Sequence, residues 1–276
     1  MSAENLITRS ISACKIAGAQ GRSWQYHSRS DRHSKIACWA VLFDLLRDCP
    51  LLRQHAASGK VRFGINHEMQ DYRLNRKKNL DLVLCGGPSA KNGFTFAKYG
   101  REIGMVLSAT EERELAELPE LATGEVSTVR VALEAKACMT AHVKARPRLY
   151  DELASSFQTI HGDTADALAA AFVMINTASD FLSPGKNTGH GKPTVNKHRQ
   201  PEDALAVLAK VMELPRRSDD RGMGFDAIGV SMVSCHNDGT PIEVDAEMGK
   251  KVDQVVRYDT LIQRLAHLYA ARFAAQ

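Results

Sequence analysis

An acid and a lysine flank a single residue near the end of an apolar run, in the tripeptide Glu134-Ala135-Lys136. The run covers residues 129–137, and its β-branched and small side chains are typical of a strand. Side chains alternate faces along a strand, so the Glu134 carboxylate and the Lys136 ammonium point to the same side. An apolar strand that directs both charges to one spot favours a site for chemistry.

A second apolar run, residues 80–85, carries a lone carboxylate, that of Asp81. On neighbouring strands, Asp81, Glu134 and Lys136 would lie close together. Two carboxylates suit a divalent cation, and a bound cation activates an attacking water. The pattern therefore predicts a metal-assisted hydrolytic site. The simpler alternative is an ordinary ion pair at the end of a surface strand.

The elements around these runs follow from hydrophobic spacing. Residues 33–49 carry apolar side chains at helical intervals, and Pro50 is expected to end that helix. Residues 61–65 alternate and predict a short strand ahead of the Asp81 strand. A helix is expected to begin at Pro147, and a further strand is expected at residues 171–175.

The predicted core order is helix, strand, strand, strand, helix, strand. This order indicates an α/β fold with a mixed central β-sheet flanked by helices, in one domain over residues 1–276. Residues 89–128 are interpreted as an insertion, in which Ser108 to Glu111 form a capping box that opens an acidic helix. A long basic loop is expected at residues 181–201, and a final amphipathic helix at residues 250–274.

Composition limits the class of protein. The 276 residues, with 44% hydrophobic and 25% charged side chains, have the composition of an ordinary soluble globular protein. No apolar stretch approaches the roughly 20 residues that cross a bilayer, and the N-terminus lacks the layout of a signal peptide. Six scattered cysteines without a Cys-x-x-Cys pair indicate a reduced, cytoplasmic protein and argue against structural zinc.

Basic residues are unevenly distributed, although the net charge is only +4. They cluster at residues 6–42, just before the Asp81 strand, just after the Lys136 strand, and at residues 181–201. Each cluster alone is compatible with a solvated surface. Their shared position beside the candidate carboxylates favours a phosphate-rich partner such as nucleic acid.

With this order of elements, Asp81 on one strand and Glu134-x-Lys136 on the next resemble the PD-(D/E)XK nuclease superfamily. Within that superfamily the chain is most similar to a type II restriction endonuclease. The order of secondary-structure elements resembles that of the superfamily over about residues 33–176. The specific motif consists only of Asp81 and Glu134-Ala135-Lys136. Two features depart from the pattern. Leu80 stands where the motif has proline, and the sequence separation of 53 between Asp81 and Glu134 requires the insertion.

The resemblance implies a Mg²⁺-dependent endonuclease that hydrolyses double-stranded DNA at a specific sequence and leaves 5′-phosphate and 3′-hydroxyl ends. Asp81 and Glu134 would bind Mg²⁺ with help from the Ala135 carbonyl. Lys136 would orient the attacking water and stabilise developing charge. Because cutting both strands of a symmetric site is simplest for a twofold dimer, a cytoplasmic homodimer is expected.

Other residues are candidates for completing the site. Glu68 is the preferred ligand for a second metal, whereas Glu152 is interpreted as a solvated helix acid. Side chains in the 181–201 loop include types that read base edges. The expected DNA contacts are Lys78, Lys144, Arg146, Lys192, Asn196, Lys197 and Arg199.

Two rival interpretations stay open. A repair, junction-resolving or defence nuclease of the same superfamily would keep Asp81, Glu134 and Lys136 but recognise DNA structure or damage. A non-enzymatic DNA-binding or assembly protein would use the basic clusters for phosphates and the acids for ordinary ion pairs. Its DNA binding would be sensitive to salt and indifferent to Mg²⁺.

Overall fold

The computed structural model describes residues 3–18, 21–91, 93–184, 193–218 and 222–275. Its helices are α1 (Ala3–Ser12), α2 (Arg32–Asp48), α3 (Pro50–Ala57), α4 (Phe96–Glu102), α5 (Ala109–Glu117), α6 (His142–Asp163), α7 (Glu202–Met212), α8 (Ala246–Gly249) and α9 (Tyr258–Phe273), with a 3₁₀ turn at Gln254–Val256. Its strands are β1 (Ile16–Ala17), β2 (Ser23–Trp24), β3 (Arg62–Asp71), β4 (Arg76–Gly86), β5 (Thr128–Cys138), β6 (Leu168–Asn176), β7 (Asp180–Ser183), β8 (Thr194–Lys197), β9 (Ala227–Ser234) and β10 (Glu243–Val244).

A mixed sheet in the order β10-β9-β6-β5-β4-β3 forms the centre of the described fold. Strands β3, β4 and β5 are antiparallel neighbours, whereas β5, β6 and β9 run parallel, and β10 is antiparallel to β9. The predicted α/β class with a mixed central sheet is thus confirmed. The order α2-β3-β4-β5-α6-β6 is also present, with α3 ahead of β3 and the insertion between β4 and β5.

Two apolar layers cover the sheet, because successive side chains of each strand point to opposite faces. On one face Leu82, Leu133 and Phe172 pack with α1, α2 and α9. On the other face Val83 and Ala132 pack with α6 and α7. Strand β6 is central, parallel and buried along its whole length, which explains its unbroken apolar sequence.

Several element boundaries differ from the sequence predictions. Helix α2 ends as expected before Pro50, but the proline itself occupies the first turn of α3, where its missing N–H is harmless. Pro147 lies inside α6, which begins at His142. The last helix begins at Tyr258 rather than at residue 250, because the buried valines upstream of it belong to a 3₁₀ turn and its flanks.

The remaining segments are more ordered than the sequence suggested. Strand β3 runs to Asp71, well beyond the expected residue 65. The insertion contains α4 and α5, and the predicted capping box between Ser108 and Glu111 is present. Within the 181–201 segment, residues 181–183 and 194–197 pair as the β7–β8 hairpin, and residues 185–192 lie outside the described part of the chain. No helix in the described ranges is long and apolar enough to cross a bilayer.

Candidate active site

The β4 and β5 strands separate at the candidate site. They pair over residues 82–86 and 128–133, but upstream of Leu82 strand β4 pairs only with β3. Beyond Leu133, strand β5 pairs only with β6. At this divergence the Asp81 carboxylate takes the place of the lost strand neighbour, and its Oδ2 accepts a hydrogen bond from the Ala135 N–H at 2.9 Å. A gap therefore opens between the strands where the two acids sit.

Asp81 is held from two directions. Besides the bond from Ala135, its Oδ1 accepts a hydrogen bond of 3.0 Å from the Ser34 hydroxyl, which lies in the first turn of α2. Burial, and then the charge of Glu134, raise the pKa of Asp81 from 3.8 to about 6. The carboxylate is thus mostly ionised at neutral pH, at a cost to the folded state.

Glu134 is buried, with 2% of its side chain exposed. Its Oε1 lies 2.8 Å from the Lys136 Nζ and 3.6 Å from the Lys78 Nζ. The expectation that Glu134 and Lys136 share a face of the strand is confirmed by this contact. Its Oε2 is buried and has no hydrogen-bond partner. An acceptor in that state is costly unless a cation or donor reaches it.

The two lysines beside Glu134 differ in their protonation behaviour. Burial works against the charge of Lys136, but the nearby Glu134, Asp81 and Glu152 carboxylates raise its pKa overall. For Lys78, burial lowers the pKa, and the attraction of Glu134 offsets this only in part. Lys136 therefore stays protonated at neutral pH, while Lys78 is the more readily deprotonated of the two.

Helix α6 contributes Glu152 to the same cluster. The Glu152 Oε2 lies 3.5 Å from the Lys136 Nζ, and the Glu152 carbonyl accepts a hydrogen bond of 2.6 Å from Lys78. Arg148, one helical turn earlier, lies 2.6 Å from the Glu152 Oε1. Arg148 and Lys136 hold the pKa of Glu152 below its ordinary value despite its burial. The interpretation of Glu152 as a merely solvated acid is therefore wrong, because α6 packs its face against β5.

A cleft of about 590 Å³ opens onto these groups. Besides the charged cluster it is lined by residues from the α2 N-terminus and the preceding loop, including Arg29 and His33. Burial, together with the charge of Lys136, lowers the pKa of His33 to about 4, so this imidazole is neutral at physiological pH. The cleft thus combines ammonium, guanidinium and carboxylate groups with a neutral imidazole.

Glu68 does not join the acid cluster. It lies on β3, is about half exposed, and forms an ion pair with Lys77 at 2.8 Å. It is not among the residues that line the cleft, whereas Glu152 is. Lys144 and Arg146 lie in the first turns of α6, exposed and half-buried respectively, on either side of the cleft residue Ala145. Lys78 lies inside the cleft, beside Glu134.

The β7–β8 hairpin carries the other expected DNA contacts. Asn196 donates to Ser183 within the hairpin at 2.6 Å. Lys197 and Arg199 lie 3.7 and 3.6 Å from the carboxylates of Asp180 and Asp203. Lys192 lies outside the described residues. The hairpin borders the cleft through His198, which hydrogen-bonds the cleft residue Thr140 at 3.1 Å.

Few oxygen donors are available to a cation at this site. Among the described residues, no three His, Cys, Asp or Glu side chains form a metal-binding group. Two carboxylates are adjacent, however, and one of them has the unpartnered Oε2 of Glu134. The N–H and C=O of one strand residue point to the same side, so the Ala135 carbonyl faces the gap as well. Mg²⁺ is commonly held by one or two carboxylates, waters and substrate phosphates.

The chain has no match among protein-family models, and neither a curated protein nor a solved structure matches it. Its function is therefore argued from the cleft. Sequence reasoning named Asp81, Glu134, Lys136 and Lys78, all of which the structure brings together. The sequence prediction did not include Ser34, and it placed Glu152 outside the site. The i, i+4 spacing of Arg148 and Glu152 could have indicated that these two side chains share one face of α6.

Proposed function

We propose that this protein is a Mg²⁺-dependent endonuclease that hydrolyses phosphodiester bonds of double-stranded DNA and leaves 5′-phosphate and 3′-hydroxyl ends. A sequence-specific, type II restriction activity is the form we favour. The observation that carries the proposal is the divergence of β4 and β5, which exposes Asp81, Ala135 and Lys136 at one cleft with Glu134 directly behind them. This residue set is the one on which the resemblance to PD-(D/E)XK nucleases rests.

The protein groups have separable roles in this proposal. Asp81 and Glu134, with the Ala135 carbonyl, would hold Mg²⁺. The ion, when bound, makes a water more acidic and polarises the phosphate. The hydrogen bonds from Ser34 and Ala135 fix the orientation of the Asp81 carboxylate. Lys136 and Lys78 hold the Glu134 Oε1, which leaves Oε2 as the free acceptor.

Lys136 acts as a charged donor. Its raised pKa keeps it protonated at neutral pH, so it cannot take a proton from the attacking water. It can donate hydrogen bonds to that water and stabilise negative charge that develops on the phosphate. The Glu152 Oε2 lies 3.5 Å from the Lys136 Nζ, and this ion pair limits the directions in which the ammonium can point.

Charge supports a polyanionic substrate. The chain carries a net charge of +4, and four cations, Lys78, Lys136, Arg29 and Arg148, line the cleft together with three acids, Asp31, Asp81 and Glu152. Positive groups on the walls of a concave site attract and orient nucleic acid phosphates. A homodimer is part of the proposal, because a twofold enzyme cuts both strands of a symmetric site. The free thiols of all six cysteines agree with a reducing, cytoplasmic location.

The test is a digest of long, unmethylated double-stranded DNA with Mg²⁺ or with EDTA. Wild type is compared with Glu134→Gln and with a control, Glu117→Gln, whose side chain is exposed on α5. We expect discrete fragments that require both Mg²⁺ and Glu134. A smear would favour a nuclease without sequence preference, and uncut DNA would direct the search to branched or modified substrates. Cutting that survives Glu134→Gln would show that the site lies elsewhere.

A binding measurement complements the digest. Mg²⁺ that binds only the folded protein raises its midpoint of thermal unfolding, by an amount that grows with the ion concentration. We expect this rise for wild type and Glu117→Gln and not for Asp81→Asn. DNA binding that is equally strong with and without Mg²⁺, combined with no cutting and no thermal shift, would support a non-enzymatic DNA-binding protein.

A further inference from the structure

The outer half of the β3–β4 pair is a two-stranded ribbon. Strand β4 leaves β5 at Leu82 but stays paired with β3 as far as Asp71 and Arg76. One face of the ribbon packs on α6, where Met69 and Leu80 are completely buried. The ribbon is therefore a supported arm that extends from the catalytic cleft.

The opposite face of the ribbon is polar and open. Glu68 pairs across the strands with Asn79, and Gln70 pairs with Lys77, so these four side chains share one face. Asn79, Lys77 and Glu68 are exposed, and Gln70 is half-buried. None of these four side chains is apolar, and the amide of Gln70 donates a hydrogen bond to Asn75 at 3.1 Å. A sheet face with amides and a lysine, left open to solvent, is suited to hydrogen-bonding a polar partner.

The tip of the ribbon carries exposed apolar and basic side chains together. Tyr72 is 72% exposed and Leu74 is 56% exposed, the two largest values among the exposed large hydrophobic residues described. Arg73, between them, has 59% of its side chain exposed and reaches only a long contact of 3.7 Å with Asp71. Arg76 is exposed as well. This combination of cations with an aromatic ring is typical of nucleic-acid contact surfaces.

The dimensions of the ribbon suit the major groove of DNA. The groove is about 12 Å wide and admits a two-stranded β-ribbon, and Asn, Gln, Arg and Lys are the side chains that read its base edges. At about 3.4 Å per residue, Arg76, the first residue of β4, lies about 17 Å along the strand from Asp81. At about 3.4 Å per base pair, that span is about five base pairs of duplex. A duplex whose phosphate enters the cleft therefore runs within reach of the ribbon.

The β7–β8 hairpin is less suited to this role in its described part. Asn196 is used inside the hairpin, and Lys197 and Arg199 lie beside acids of their own neighbourhood. In the ribbon, Gln70 and Lys77 also have local partners, Asn75 and Glu68, but the side chains of Arg73 and Asn79 are exposed. Because strand β4 of the ribbon also carries Asp81, the ribbon lies at a fixed distance from the cleft.

We infer that the outer face and tip of the β3–β4 ribbon bind the major groove of double-stranded DNA and contribute to sequence preference. This inference rests on the proposed nuclease function. Gln70 and Asn79 contact base edges, while Arg73 and Lys77 contact bases or phosphates near the tip. Glu68, on the same face, holds Lys77 in place in the absence of DNA.

The experiment measures binding with Ca²⁺ in place of Mg²⁺, to prevent cutting, on two PCR products of the same sequence. One contains normal purines, and the other contains 7-deazapurines, which lack the N7 acceptor of the major groove. The variants are Gln70→Ala/Asn79→Ala and Arg73→Ala. The control is Lys250→Ala, which removes an exposed lysine paired with Glu247 in the same way as Lys77 is paired with Glu68.

We expect wild type and Lys250→Ala to bind normal DNA about 5- to 100-fold more tightly than 7-deazapurine DNA. In the Gln70→Ala/Asn79→Ala variant this ratio falls towards one, and Arg73→Ala weakens binding to both products. A far-ultraviolet circular dichroism spectrum checks that each variant is folded.

Failure of the proposed nuclease function and failure of the ribbon inference give different results. If wild type neither binds nor cuts DNA, the proposed function is wrong and the ribbon inference falls with it. If wild type binds and cuts, but the ribbon variants keep its affinity and its preference for normal purines, only the ribbon inference is overturned. A wild type that cuts both products equally well and binds them alike would also overturn major-groove reading.

Discussion

The Asp81→Asn substitution tests whether the cleft is functional, because activity and stability should change in opposite directions. Burial and the Glu134 carboxylate raise the pKa of Asp81 from 3.8 to about 6, so its charge is unfavourable in the folded state. Asparagine keeps the shape and removes the charge. We expect the variant to lose Mg²⁺-dependent cleavage and to become more stable at neutral pH.

The size of the gain can be worked from the structure. Each pKa unit corresponds to about 1.4 kcal/mol, so the ionised Asp81 costs the folded state up to about 3 kcal/mol. The raised pKa already includes the hydrogen bonds from Ser34 and Ala135, both of which lower it. The expected gain in the free energy of unfolding is therefore up to about 3 kcal/mol, equal to about 6 to 12 °C in Tm.

The assay is urea unfolding in EDTA as a function of pH, followed by tryptophan fluorescence, since Trp24 and Trp39 are both buried. Folded Asp81 takes up its proton at about pH 6, but in the unfolded chain it does so only near the ordinary value of 3.8. Wild-type stability relative to the variant therefore rises as the pH falls from about 6 to about 4. Below about pH 4 the two proteins should unfold alike, because Asp81 is then neutral in both states.

A matched control is Asp151→Asn, which changes an exposed acid on α6. Its stability should stay within about 0.5 kcal/mol of wild type at every pH. An unfavourable charge on Asp81 is ruled out if Asp81→Asn lowers the free energy of unfolding by about 1 kcal/mol or more at neutral pH while Asp151→Asn does not. That outcome would mean that the ionised Asp81 carboxylate stabilises the fold by accepting the Ala135 hydrogen bond, rather than destabilising it in the absence of a cation.

Three further predictions concern the same region. Lys136→Met should slow cleavage by about 10²- to 10⁴-fold, with little change in DNA affinity measured in Ca²⁺. The control Lys250→Met should leave both the cleavage rate and the affinity unchanged. A large loss of DNA affinity in Lys136→Met would contradict the role of Lys136. Cleavage by wild type at fixed Mg²⁺ should rise with pH through about 6, as Asp81 loses its proton; a rate that falls over this range would contradict the assignment. Gly162→Ala should lower the free energy of unfolding by about 1 to 3 kcal/mol, because the new Cβ would collide with the Asp71 carboxylate where the ribbon meets α6. Equal midpoints of urea unfolding for the variant and wild type would show that the ribbon moves to accommodate the methyl group at no cost.

Local pattern explains the part of the site that the sequence predicted. The apolar runs around Asp81 and Glu134 identify two strands, because strand geometry imposes a period of two on burial. The same period places Glu134 and Lys136 on one face, where they lie 2.8 Å apart. These conclusions need only the backbone geometry of a single strand.

Errors arose where packing between distant elements overrides local pattern. Glu68 looked promising because it precedes the Asp81 strand, but the longer β3 carries it to the outer face of the ribbon. Pro147 looked like a helix start, yet α6 begins earlier and continues through it. The basic 181–201 segment was expected to be a loop, but its residues 181–183 and 194–197 pair with each other as two antiparallel strands.

The sequence by itself determined the α/β class, the order of the core elements, and the identity of an acid pair with a lysine on adjacent strands. The tertiary structure alone decided that β4 and β5 separate at Asp81, and that Ser34 and Glu152 arrive there from two different helices. It also decided the raised pKa of Asp81 and the burial of Glu134. The physical reason is range: strand periodicity is a local property of the backbone, whereas desolvation and convergence of charges depend on residues far apart in the chain.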